Sequence, residues 1–242
     1  MSESDPATHA DEPHDASLGA RLNWLRAGVL GANDGIVSTA GIVAGVAGAT
    51  SDRGDILTAG IAGLVAGALS MAAGEYVSVS AQRDTEKSLI AKEKDELASM
   101  PEAELEELTE LYQRRGLTPG TARKVAEELT AKDPLRAHLD IELGIDPDDL
   151  VSPWHAVIAS AVSFVIGALL PILAVVLAPD GSRVPVTFVA VVLALALTGF
   201  ISSRIGDART RQARAIARNV VGGALAMTIT YLVGTAVGGL GV

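Results

Sequence analysis

The sequence predicts an all-α, polytopic membrane protein with five transmembrane helices and a helical insert between spans 2 and 3. Three observations predict it. Mean hydropathy is +0.35 although 20% of the residues are charged, so charged and apolar residues must lie in separate blocks. Apolar runs of about 20 residues, enough to cross ~30 Å of hydrocarbon, recur five times, at 27–50, 56–81, 154–178, 184–205 and 216–240. The stretch between the second and third runs, 82–151, is polar and carries helix start and stop signals. Inside a bilayer the runs must be helices, because an open strand leaves backbone groups unpaired.

Residues 1–20 are acidic (Glu3, Asp5, Asp11, Glu12, Asp15) and contain Pro6 and Pro13, the composition of a disordered tail. Without a basic opening segment the tail does not read as a cleaved leader. Residues 21–81 hold the first two spans and 152–242 the last three. The 82–151 insert starts as a continuation of the second span to about Ala98. Ser99 is then expected to cap a new helix, with Pro101 in its first turn and Glu102 completing a capping box. Gly116 stands where that helix should stop, Thr118-Pro119 and Asp133-Pro134 should open two more, and Gly144 should end the last. Seventeen of the 19 basic residues fall on one side of this topology, leaving only Arg53 and Arg183 on the other. The basic excess puts the N-terminus and the insert in the cytoplasm and the C-terminus outside, in a multi-pass protein of the plasma membrane. The cluster Arg204–Arg218 reads as an anchor near anionic headgroups, and Pro171 as a kink in the third span.

Composition narrows the chemistry. There is no cysteine, hence no disulfide framework and no thiolate site. A net charge of −10 argues against nucleic acid and for cations. No nucleophile–base pattern, phosphate loop or HExxH motif points to an enzyme, and no prosthetic group is expected.

Ionisable groups within a span are costly and mark function. Asp34, in Gly31-Ala32-Asn33-Asp34-Gly35, lies eight residues past Arg26, and Glu75 lies eight before Arg83. On antiparallel helices this places both carboxylates roughly 12 Å in from their basic anchors, with Met71 on the face of Glu75 one turn away. Carboxylates, the Asn33 amide and a thioether at one level suit a partly dehydrated first-row divalent cation. Glycines at 35, 41, 45 and 48 in the first span, and at 60, 63, 67 and 74 in the second, allow close helix contact, either within the chain or along a homodimer seam.

The insert holds 18 acidic residues against 10 basic. Glu93 and Glu96 are three apart, as are Glu104 and Glu107, so each pair shares a helix face. If the turn near Met100 brings the faces together, four carboxylates meet, and such a cluster stays ionised only around cations. Glu142, four residues after His138, offers a fifth. Glu-rich helices are more often solvated faces, the reading given to Glu102, Glu106 and Glu110. Leu105, Leu108, Leu111 and Tyr112 are read as core. His9, His14 and His155 carry no assignment as ligands.

The stretches Gly31-Ala32-Asn33-Asp34-Gly35-Ile36-Val37-Ser38 and Ser70-Met71-Ala72-Ala73-Gly74-Glu75-Tyr76-Val77-Ser78, with five spans and an acidic insert after the second, resemble the vacuolar iron transporter family over roughly residues 20–240. The resemblance implies a homodimer with its ion path between protomers, lined by Asp34 and Met71. It implies movement of Fe²⁺ or related ions out of the cytosol against protons. It also implies an insert metal site formed by Glu93, Glu96, Glu104, Glu107 and Glu142. Where that pattern has a methionine beside the last glutamate, this chain has His138-Leu139, which leaves the preference among Fe, Mn, Zn and Co open. The expectation is a proton-coupled exporter of Fe²⁺, with Mn²⁺ next, serving iron homeostasis and detoxification. The alternative is a membrane-anchored metal sensor or buffer that transports nothing.

Overall fold

The computed structural model describes residues 17–148, 150–205 and 212–240, with the side chains of 17–26 and 205 left out. The acidic stretch 1–16 and the basic residues Arg209 and Arg211 lie outside the described residues. The described residues form helices α1 (Ser17–Ala49), α2 (Arg53–Ser99), α3 (Pro101–Arg114), α4 (Pro119–Lys132), α5 (Pro134–His138), α6 (Pro153–Leu177), α7 (Arg183–Ile205) and α8 (Gln212–Gly238). A π-helical turn, Leu139–Leu143, follows α5. Among the described residues there is no strand, and five helices (α1, α2, α6, α7 and α8) are long and apolar enough to cross a membrane. Among the described residues the chain separates into two compact units, one of 23–79 with 153–240 and the other of 80–152 with 17–22. α1 and α2 contribute to both.

In the first unit α1 is the central helix. Ile36, Ala40 and Ala44 of α1 meet Val191 and Leu195 of α7 and Met227 of α8, all buried. Val43 packs with Ile56 of α2 and Val175 of α6. Small residues set the spacing. A Cβ on Gly31 would lie 2.6 Å from the Ser160 carbonyl oxygen, and one on Gly35 would run into that of Phe164. From the other side, Gly167 of α6 abuts the Ala32 carbonyl. Further along, a Cβ on Gly48 would lie 2.5 Å from the Tyr231 carbonyl, while Gly234 and Gly238 of α8 pack on Gly45 and Ala49. The α1 glycines are therefore taken up by contacts within the chain, as the close-packing alternative required. Outward faces of α2, α6, α7 and α8 carry exposed Ile61, Leu69, Leu173, Leu193 and Leu232, as expected of helices whose solvent is hydrocarbon. α6 continues through Pro171 to Leu177.

The two basic residues set apart by the charge count come together at one end of this unit. Arg53 donates to the Ala178 carbonyl at 3.2 Å, and Arg183 donates to that of Ser51 at 2.9 Å. Asp180 pairs with both guanidinium groups. The α1–α2 and α6–α7 connections are thereby tied to each other.

In the second unit Leu108, Ala126, Ala137 and Ile141 form a buried core, flanked by Leu105, Leu111, Tyr112 and Leu129. Thr118 and Asp133 precede α4 and α5, and the Asp133 carboxylate accepts from the Arg136 amide at 3.0 Å. Gly116 (φ 100°) and Gly144 (φ 62°) end their segments in the left-handed region that favours glycine. One expected cap is wrong. Ser99 is the last residue of α2, where its hydroxyl donates to the Asp95 carbonyl at 2.7 Å, and Met100 is the N-cap of α3 with no side-chain cap bond. α2 runs one residue further than its signals suggest, so the serine finds an i−4 carbonyl before it can cap, and exposed Glu102 closes no box.

Candidate metal centre

The single-residue break at Met100 folds α3 back against the end of α2. Glu93 on α2 and Glu104 on α3 come to face the same point, and α5 brings His138 into it. These side chains are almost solvent-free: relative exposure is 4% for Glu93, 5% for Glu104 and 0% for His138. His138 is driven inward because its neighbours Ala137 and Leu139 are themselves buried, with Ala137 packed on the Leu108 core. Its Nδ1 lies 3.1 Å from Glu93 Oε1, 3.7 Å from Glu104 Oε2 and 3.8 Å from Glu142 Oε2. Glu142 reaches the site from the π-helical turn, a device that recurs at functional sites. Arg115 secures that turn by donating to the Ile141 carbonyl at 3.1 Å.

The polar atoms of this cluster are not hydrogen-bonded to one another. Among the described residues Glu93 Oε1 and both ring nitrogens of His138 are buried without a hydrogen-bond partner. Burial of polar atoms without partners costs on the order of 1–3 kcal/mol each, so such a group calls for a ligand as its explanation. The electrostatics agree. Burial, followed by the charges of Glu142, Glu104, Glu96 and Glu107, pushes the Glu93 carboxyl up to about 7. Glu104 is likewise raised, first by burial and then by Glu107, while His138 acts in the opposite direction. One ligand atom from each of Glu93, Glu104 and His138 fits within a 4.8 Å group, the spacing of a metal site.

Of the five insert glutamates anticipated from the sequence, Glu93, Glu104 and Glu142 surround His138 Nδ1. Glu96 is half-buried and takes a 2.8 Å hydrogen bond from Lys92, and exposed Glu107 acts on the cluster through its charge. Glu106 and Glu110 are solvated, paired with Arg123 and Arg114. The member of this cluster that sequence reasoning left out of the candidate site is His138. Its signal was present: it stands four before Glu142, one helical turn away, in a segment opened by Asp133-Pro134.

Asp34, Met71 and Glu75 lie in the other unit, each half-buried. The Asp34 carboxylate accepts a 2.8 Å hydrogen bond from the Ser38 hydroxyl, and Oδ1 of neighbouring Asn33 is buried without a partner among the described residues. Gly60 faces Val43, and Gly63 faces Ile42. Tyr76 stacks obliquely on exposed Trp154, ring centroids 5.3 Å apart, the kind of aromatic pair found at membrane–water boundaries. His155 is exposed at the start of α6.

A sequence profile of the VIT family matches residues 25–235. A protein of Acanthamoeba castellanii named vacuolar iron transporter is 43% identical over 230 residues, covering 92% of this chain and 82% of its own. Vacuolar iron transporter homolog 1 of Oryza sativa subsp. japonica is 38% identical over 88% of this chain and 73% of its own. Vacuolar iron transporter homolog 4 of Arabidopsis thaliana is 34% identical over 87% and 82%.

Proposed function

The chain belongs to the VIT family, and from that premise we propose that it carries divalent metal ions, iron first and Mn²⁺ next, across a membrane. The observation that carries the reading is the buried cluster of Glu93, Glu104 and His138, whose unpartnered atoms suit an ion. In this reading Glu93, Glu96, Glu104, Glu107 and Glu142 gather the metal from the cytosol. Asp34 and Met71 bind the partly dehydrated ion during passage, and Glu75 serves nearer the entrance. Protons arriving from the far side compete for Asp34, release the ion and return inward, which makes the cycle an antiport.

The basic-residue asymmetry supports a cytosolic insert and N-terminus, so that transport is directed out of the cytosol. The relatives are named for the vacuole, whereas the plasma membrane is the destination proposed here, and either lies across a membrane from the cytosol. A homodimer with the path between protomers belongs to the same proposal. The second reading, an anchored sensor or buffer, is disfavoured because an anchor has no use for Asp34 within a span.

Uptake of Fe²⁺ and Mn²⁺ into inside-out proteoliposomes under an imposed pH gradient tests this, with wild type compared to Asp34→Ala. Gradient-driven uptake that vanishes in the variant supports antiport through Asp34. No uptake of either ion by a protein that still binds metal would establish the anchored sensor instead.

A further inference from the structure

We propose that the His138 imidazole is a direct nitrogen ligand of the insert site and biases it towards borderline divalent ions (Fe²⁺, Co²⁺, Zn²⁺) over hard ones (Mn²⁺, Mg²⁺, Ca²⁺). This deepens, and rests on, the reading of the insert as a metal site.

The geometry around Nδ1 carries the inference. Glu93 Oε1 stands 3.1 Å away, yet neither atom has a hydrogen-bond partner among the described residues. Three carboxylate oxygens stand around Nδ1, at 3.1, 3.7 and 3.8 Å. Ligands about 2.1 Å from a first-row ion are separated from one another by about 3.0 Å in an octahedron and about 3.4 Å in a tetrahedron. Glu93 Oε1, at 3.1 Å, stands at the separation of neighbouring ligands around a common ion, while the Glu104 and Glu142 oxygens, at 3.7 and 3.8 Å, lie beyond the tetrahedral value. A purely structural ion pair explains the site less well. An imidazolium has two N–H donors, and here Nε2 is as buried and unpartnered as Nδ1, which would leave a charged donor stranded at a cost exceeding that of a neutral one.

The selectivity follows from ligand chemistry. Carboxylates alone satisfy Mg²⁺, Ca²⁺ and Mn²⁺, whereas imidazole suits iron, copper, nickel and zinc, and affinity at mixed nitrogen–oxygen sites rises along the first row from Mn²⁺. His138 is the one nitrogen ligand in an otherwise all-oxygen group among the described residues.

The test uses the full-length protein in detergent, with His9→Asn, His14→Asn and His155→Asn changed together so that His138 is its sole histidine. Loaded anaerobically with one equivalent of Fe²⁺, or with Co²⁺, this protein should show imidazole scattering in its X-ray absorption fine structure. Adding His138→Met should remove that signature and weaken Fe²⁺ and Co²⁺ about tenfold or more, while Mn²⁺ changes less than about threefold. A shell of oxygen only, with binding that Glu93→Gln abolishes, would overturn the nitrogen ligand alone. No binding sensitive to Glu93→Gln would overturn the insert site and this inference with it. Equal weakening of Mn²⁺ and Co²⁺ in a His138→Met protein that melts like its parent would overturn the selectivity.

Discussion

Nδ1 of His138 lies 3.1 Å from Oε1 of Glu93, and both atoms are buried without a hydrogen-bond partner among the described residues. Two polar atoms so close and so shielded are stable together only with a shared proton or a shared cation. The surrounding Glu104 and Glu142 oxygens make a cation the better fit, because each further carboxylate raises the cost of leaving the cluster without one.

The insert should lose stability without metal as pH rises. Glu93 titrates near 7 in the folded state against an ordinary value of 4.5, so the folded protein holds the extra proton between those values. Its stabilising contribution is complete below about 4.5 and is lost as pH climbs through about 7. Metal-free protein should therefore melt at a lower temperature at pH 8 than at pH 5, and added metal should raise melting more at pH 8. Because one proton competes at Glu93, metal affinity should fall about tenfold per pH unit below 7, measurable by calorimetry. A pH-independent affinity would contradict the assignment.

Asp34→Asn preserves shape and still accepts the Ser38 hydroxyl but removes the charge. Gradient-driven metal uptake should drop to the level of empty liposomes, while metal binding by the insert stays at its wild-type value. Full uptake by this variant would exclude Asp34 as the coupled group.

Glycine substitutions should sort by neighbour. Gly35→Ala drives a Cβ into the Phe164 backbone and should cost about 1–3 kcal/mol through forced helix separation. Gly74→Ala has nothing within 4 Å of its new Cβ among the described residues and, inside α2, should stabilise by about 0.5–1 kcal/mol. Thermal melting in detergent distinguishes the two.

Within the insert, Leu108→Ala empties a fully buried site and should cost about 2–5 kcal/mol. Arg123→Ala breaks the exposed pairs with Glu106 and Glu127 and should cost at most about 1 kcal/mol. Metal affinity should survive Arg123→Ala, since neither of its partners belongs to the buried cluster.

Most of the architecture could be read from residue order because the signals are local. Hydropathy summed over about 20 residues finds the spans, and Thr118-Pro119, Asp133-Pro134, Gly116 and Gly144 mark helix ends through backbone geometry that each residue imposes on itself. The i,i+3 pairs Glu93/Glu96 and Glu104/Glu107 follow from helical pitch alone. Ser99 was misread because a serine in a last turn and a serine at a cap satisfy the same local rule, and one residue of extra helix decides between them.

What tertiary structure alone decided is which faces meet. Glu93 and His138 are 45 positions apart, and no local pattern tells whether docking of α5 on the Leu108 core will turn the imidazole inward. The same holds for Gly35, whose partner proved to be Phe164 of α6, and for Gly60, which packs on Val43 of α1. Propensity, capping and hydropathy act within a helical turn or sum along a run, so the sequence by itself determined the helices and their acidic faces. Packing contacts join distant parts of the chain, and only they turned those faces into a buried centre with a histidine at its middle.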